Sequence, residues 1–142
     1  MKLQRAYLRI QDKIKEVKRR ILHRIECDSI NACLEFVRNN VKGTCLAKAL
    51  ALYVILKKKL NCNSCYVLVF KPRQSKNLYL HAVVIIMYTD NILMLDPSVS
   101  SPGDFPYRPM ENFRSLEEFD KMIGDVVCIF NEEEAYIRQS PG

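Results

Sequence analysis

The chain has 142 residues, 49% of them apolar and 27% charged, with a formal net charge of +6. That length fits a single domain over 1–142, and the composition supports an ordinary core and argues against wholesale disorder. No apolar run reaches the ~18 residues of a membrane span, and Met1–Arg5 opens no signal-type apolar segment, so the expectation is a cytoplasmic protein without membrane contact.

The positive charge is concentrated early. Residues 1–60 hold 15 Lys and Arg against 5 Asp and Glu, whereas residues 61–142 hold 7 against 11. Leu3, Tyr7, Ile10, Ile14, Val17 and Ile21 recur at spacings of four and three, which predicts a basic amphipathic helix over residues 1–26. The ordinary role of its apolar stripe is to pack on its own domain. A coiled-coil seam between subunits is the alternative, and would make an oligomer. The basic face of residues 1–25 leaves nucleic acid or an acidic partner open, though a solvated face accounts for it equally.

The predicted core spans 27–131. Asp28-Ser29 caps a second helix to about Arg38, with Ile30, Cys33, Leu34 and Val37 inward and Asn39-Asn40 as its stop. After the turn at Val41–Thr44, a third helix runs from Cys45 or Leu46 to about Leu60. It is apolar almost all round, with Leu46, Ala49, Leu50, Tyr53 and Leu56 inward, as expected of a central helix. Lys57, Lys58 and Lys59 suit the negative end of its dipole. The period then changes: Cys65–Phe70, Leu80–Tyr88 and Ile92–Leu95 read as strands, the last two joined by a hairpin turn at Thr89–Asn91. Asp96–Pro109, with four prolines, reads as a loop. Ser115-Leu116-Glu117-Glu118 has capping-box spacing and starts a short helix to about Ile123. Val126–Phe130 is a further strand, and 132–142 is left as a polar tail.

Three residues on these elements carry chemistry. Cys45 opens the central helix, His81 opens a strand and Asp96 closes the next one. A thiol, an imidazole and a carboxylate are the parts of a cysteine nucleophile system: the imidazole takes the thiol proton and the carboxylate orients the imidazole. A free thiol titrates near pH ~8.5, and a nearby imidazolium or a helix N-terminus lowers that value. A hairpin centred near Asp90 makes His81 and Asp96 cross-strand neighbours at about 5 Å between Cβ atoms. The other histidine, His23, lies among Arg19, Arg20 and Arg24 and reads as a surface residue.

Gly43-Thr44-Cys45 opening a helix, His81-Ala82 opening a strand and Leu95-Asp96-Pro97-Ser98 closing a strand resemble the transglutaminase-like superfamily of papain-related cysteine enzymes. The resemblance covers roughly residues 41–99. It implies an α+β fold in which N-terminal helices, one bearing the nucleophile, pack on an antiparallel β-sheet. It further implies a thiol hydrolase, a peptidase or amidase acting on a peptide or protein through a Cys45 thioester, with His81 as base and then acid and Asp96 as orienter. Transglutaminase-type transfer to an amine is the alternative, and a non-catalytic binding module using the basic helix is a third reading. The chain has no tryptophan to act as oxyanion donor, and Asn39 is the candidate for that role. No cofactor or metal is expected.

Six cysteines are many for this length. Cys62-Asn63-Ser64-Cys65 is a C-x-x-C, but it follows a helix and leads into a strand, the reverse of the thioredoxin order. Packing, a structural disulfide and redox chemistry all stay open for it. A four-thiolate zinc site from Cys27, Cys33, Cys62 and Cys65 has loose spacing in its first half. Cys128, inside Val126–Ile129, reads as a core thiol.

Overall fold

The structure, a computed structural model, describes residues 2–21, 29–73, 80–99, 107–133 and 135–137. Its described elements run α1 Lys2–Ile21, α2 Ile30–Asn40, α3 Cys45–Lys59, β1 Cys65–Pro72, β2 His81–Met87, β3 Ile92–Leu95, β4 Met110–Phe113, α4 Leu116–Met122, β5 Gly124–Phe130 and β6 Ala135–Ile137. The fold is α+β. Six strands form one sheet in the order β4-β3-β2-β1-β5-β6, and every neighbouring pair is antiparallel.

α3 is the hub of the helical layer. Its residues Ala49–Leu56 are all buried, because α1 and α2 cover it on one side and β1 and β2 on the other. This is why its apolar residues surround the helix rather than form a stripe. α1 carries its stripe onto this layer: Ile10 and Ile14 are buried and Val17 packs against the same cluster. The side chains of Leu3, Tyr7 and Ile21 and the whole of His23 lie outside the described residues. α2 is capped by the Ser29 side chain, which accepts from the Ala32 N–H, and it turns Cys33, Leu34 and Val37 inward as expected. It runs through Asn40 before Val41 caps it, two residues past the predicted end at Arg38, so Asn39 and Asn40 form its last turn.

The sheet separates two apolar layers. Ala82, Val84 and Ile86 of β2 face the helices with Leu95, Val67 and Cys65. Val83 and Ile85 face the other way, with Phe70, Met94, Tyr107, Phe113 and Phe119. The alternation follows from the period of two along a strand. Because both faces are covered, β2 reads as a continuous apolar run. α4 closes the far layer: the Ser115 hydroxyl accepts from the Glu118 N–H at 3.2 Å, while the Glu118 carboxylate accepts from the Arg114 N–H at 3.0 Å. β5 and β1 approach so closely that a Cβ on Gly124 would lie 2.2 Å from the Lys71 carbonyl oxygen.

Two strands were not anticipated. β4 is a four-residue edge strand whose Glu111 and Asn112 are polar, so it has no hydrophobic period to read. β6 pairs with β5 inside the segment expected to be a polar tail, so 135–137 belongs to the sheet. Glu132 and Glu133 also tie down the start of that segment. Their carboxylates accept from Lys18 and Lys57, each at 2.6 Å.

Candidate functional site

Gly43 shapes the turn that leads into Cys45. Its φ of +129° lies where side chains are disfavoured, and the chain turns there into Thr44. The Thr44 hydroxyl caps α3 by accepting from the Ala47 N–H at 3.2 Å. Cys45 is therefore the first helical residue. Helix geometry leaves the N–H groups of Cys45 and Leu46 without intrahelical acceptors, and they point out of the N-terminus.

The thiol meets β2 at that end. Cys45 is hydrogen-bonded to the His81 side chain, and the Ala82 backbone N–H donates to its sulfur. Burial pushes the Cys45 thiol up, but the His81 hydrogen bond, the Ala82 N–H and the imidazolium charge together bring it below its ordinary value. His81 Nε2 lies 2.6 Å from Asp96 Oδ2. With Nε2 taken by the carboxylate, Nδ1 is the ring nitrogen that serves the sulfur. Burial pulls the His81 pKa down. Hydrogen bonds and charge from Asp96 and Cys45 more than offset this and push it up to about 9. Both shifts move the pair toward a thiolate beside an imidazolium.

Asp96 is fully buried, at 0% exposure, and a lone buried carboxylate would be strongly disfavoured. Four donors prevent that. His81 and the Tyr107 hydroxyl share Oδ2, Tyr107 at 2.7 Å. The Ser98 N–H at 2.9 Å and the Ser98 hydroxyl at 2.7 Å share Oδ1. Burial raises the Asp96 carboxyl, yet the contacts to His81, Tyr107 and Ser98 hold it below the usual value. Tyr107 is itself driven upward by burial and by the Asp96 charge, so it remains a phenol and a donor. Phe70 stands edge-on to the imidazole, with ring centroids 5.4 Å apart and planes at 87°. This contact restricts the ring.

The approach differs in one respect from the sequence expectation. β2 and β3 pair Val84 with Leu95, so the next step of the ladder puts Asp96 beside Val83. His81 and Asp96 are therefore diagonal neighbours on the same face, and the imidazole bridges the offset. That face is the one away from the helices, where Phe70, Val83 and Tyr107 pack. Cys45 arrives from the helical face. The three groups thus meet at the end of the sheet, with the β2 backbone at Ala82 between them.

Asn39 is exposed in the last turn of α2, and no described contact links it to Cys45 or His81. Cys62 and Cys65 are free thiols, as are Cys45 and Cys128. Cys33 is buried in the helical layer, Cys27 lies outside the described residues, and no metal-binding group of His, Cys, Asp and Glu occurs among the described residues. Cys128 is buried, and burial raises its thiol. No described helix is long and apolar enough to cross a membrane.

Two residues were missed from the sequence. Ser98 had a local signal, since a serine two residues after Asp in Asp-Pro-Ser fits an Asx turn. Tyr107 had none, because it stands 11 residues from Asp96 in the chain and no local spacing links the two. Set against protein-family models, curated proteins and solved structures, the chain matches none of them.

Proposed function

We propose that this chain is a cysteine-dependent hydrolase with a transglutaminase-like core, a peptidase or amidase that works through a thioester on Cys45. The observation carrying the proposal is the continuous chain of contacts from the Cys45 thiol to His81 and from His81 Nε2 to Asp96 at 2.6 Å. A buried carboxylate with four donors on it and an imidazole with a pKa near 9 is an arrangement whose clear use is to keep a thiolate ready.

The reaction follows from these groups. The Cys45 thiolate attacks a substrate carbonyl carbon, and negative charge moves to the carbonyl oxygen. The N–H groups of Cys45 and Leu46 point toward that oxygen's position and stabilise the charge. The C–N bond then breaks, and the His81 imidazolium gives its proton to the leaving amine. A thioester on Cys45 and a neutral imidazole remain. His81 next takes a proton from water, which attacks the thioester carbonyl. Collapse returns the thiolate and the imidazolium and releases a carboxylic acid. Asp96 holds the ring so that Nδ1 faces the sulfur and stabilises its cationic form.

Transfer to an amine shares every step up to the thioester. A peptide library incubated in heavy-oxygen water with a primary amine separates the two outcomes. Heavy oxygen in new carboxyl termini identifies hydrolysis, and amine adducts identify acyl transfer. Equal product from wild type and Cys45→Ala, or none from either, would rule out both.

A further inference from the structure

Cys62 and Cys65 lie past the other end of α3 and take no part in the chemistry above. A 15-residue helix is about 22 Å long, so they stand well away from Cys45. Asn63 and Ser64 form a turn between them. The ends of a four-residue turn have Cα atoms within about 7 Å of each other, which overlaps the range that a disulfide spans. The Cys65 thiol is already directed back at Cys62, with its Sγ 3.0 Å from the Cys62 carbonyl oxygen. The two side chains are also hydrogen-bonded to each other, and the Ser64 hydroxyl and N–H both bond to Cys62.

The two thiols differ in access. Cys65 is 0% exposed, locked at the start of β1 opposite Ile86, whereas Cys62 is only partly buried. A reagent in solution meets Cys62 first, and Cys65 is within reach only of Cys62. We propose that Cys62 and Cys65 form an oxidisable dithiol site, with Cys62 as the attacking thiol and Cys65 as the resolving thiol, whose substrate is a low-molecular-weight disulfide. The donors around Cys62 also bring its thiol down to about 6, while Cys65 is shifted up by Cys62 and by burial. This is the division of labour that the exposures require.

The exchange balances in two steps. The Cys62 thiolate attacks one sulfur of the small disulfide, a Cys62 mixed disulfide forms, and one small thiolate leaves. The Cys65 sulfur attacks the Cys62 sulfur, the second small thiolate leaves, and that leaving thiolate takes up the Cys65 proton. Two protein thiols are oxidised to one disulfide and one small disulfide is reduced to two thiols.

The test uses the full chain equilibrated in glutathione buffers of increasing oxidised fraction, quenched with an alkylating reagent and mapped by mass spectrometry. The expected result is that the peptide containing both cysteines loses two hydrogens and escapes alkylation, with no stable glutathione adduct. Cys33 and Cys128 stay reduced, and Cys45→Ala behaves like wild type at this site. Cys65→Ser should stop at a glutathione adduct on Cys62. Accumulation of that adduct in wild type would overturn the proposal. So would a pair that stays fully alkylatable in buffers where Cys45 is oxidised.

Discussion

Cys45 and the Cys62–Cys65 pair sit at opposite ends of one helix, and the two ends hold sulfur by different means. At the N-terminus of α3 the helix dipole favours a thiolate, by about 0.3–1 kcal/mol in exposed settings. At the C-terminus the same dipole opposes one. Cys45 adds a full positive charge in His81, itself anchored by buried Asp96. Cys62 has neutral donors, namely Cys65 and Ser64. The charged partner that lowers the Cys45 thiol depends in turn on Tyr107 and Ser98, which hold the carboxylate. Neutral donors from the adjacent turn give a thiolate that depends on almost nothing beyond residues 62–65.

The largest break in this comparison is His81→Ala. Alkylation of Cys45 at pH 6.5 should slow by on the order of 10-fold or more and then rise only near pH 8.5, as for an ordinary thiol. Cys62 labelling, followed in the same digest, should not change. Turnover should vanish in both His81→Ala and Cys45→Ala. Next comes Asp96→Asn, for which turnover should fall by on the order of 1,000-fold with a measurable remnant, because the ring loses its orienter while the thiol stays in place. Cys62 should again be indifferent. Equal loss of reactivity at both sulfurs in either variant would mean that the substitution had unfolded the domain.

Tyr107→Phe keeps the packing of the ring and removes one donor to Asp96. One hydrogen bond to a charged group is worth about 1.5–3 kcal/mol, so turnover should fall by roughly 10- to 100-fold. The acid limb of the pH–rate profile should move to higher pH, because the Asp96 carboxyl loses one of the contacts that lower it. A change of stability without that shift would make Tyr107 a packing residue only. The corresponding change at the other end, Ser64→Ala, should slow Cys62 alkylation a few-fold near pH 6.5 and leave Cys45 unaltered.

The smallest effect is on stability against pH. The folded His81 value of about 9 lies above its ordinary 6.5. The His81–Asp96 contact therefore contributes fully below pH 6.5, and that contribution is lost as pH rises toward 9. The Cys45 thiol, shifted the other way, contributes above its ordinary 9.0 and is lost as pH falls through its lowered value. In a Cys45→Ala background this opposing titration is absent. The melting-temperature gap between that protein and Cys45→Ala/Asp96→Asn should then narrow as pH rises above 6.5, and do so below pH 9, because Cys45 no longer helps to raise His81. A constant gap would mean that His81 is not the titrating group.

Much of the helical layer could be read directly. α3 is apolar all round because it is covered all round, and β2 is a continuous apolar run because both of its faces are buried. Ser29, Thr44 and Ser115 cap helices through side-chain bonds three residues long, which is local chemistry that sequence spacing encodes. The far layer was much less legible. β4 and β6 are short edge strands held by pairing with neighbours rather than by their own pattern, and Phe70, Phe113 and Phe119 meet only after the sheet forms.

The sequence by itself determined the order of the four helices and of β1, β2, β3 and β5, the hairpin that carries His81 toward Asp96, and the placement of Cys45 at a helix start. Each follows from hydrophobic period, turn residues or capping within a few positions. Only the tertiary structure decided that Asp96 and His81 sit diagonally on the face away from α3. It also decided that Tyr107 completes the carboxylate's shell, and that Cys62 is reachable while Cys65 is not. Those facts depend on register, on the path of a loop and on what covers each sulfur. Register, path and cover are set by contacts between residues far apart in the chain, where no local period records them.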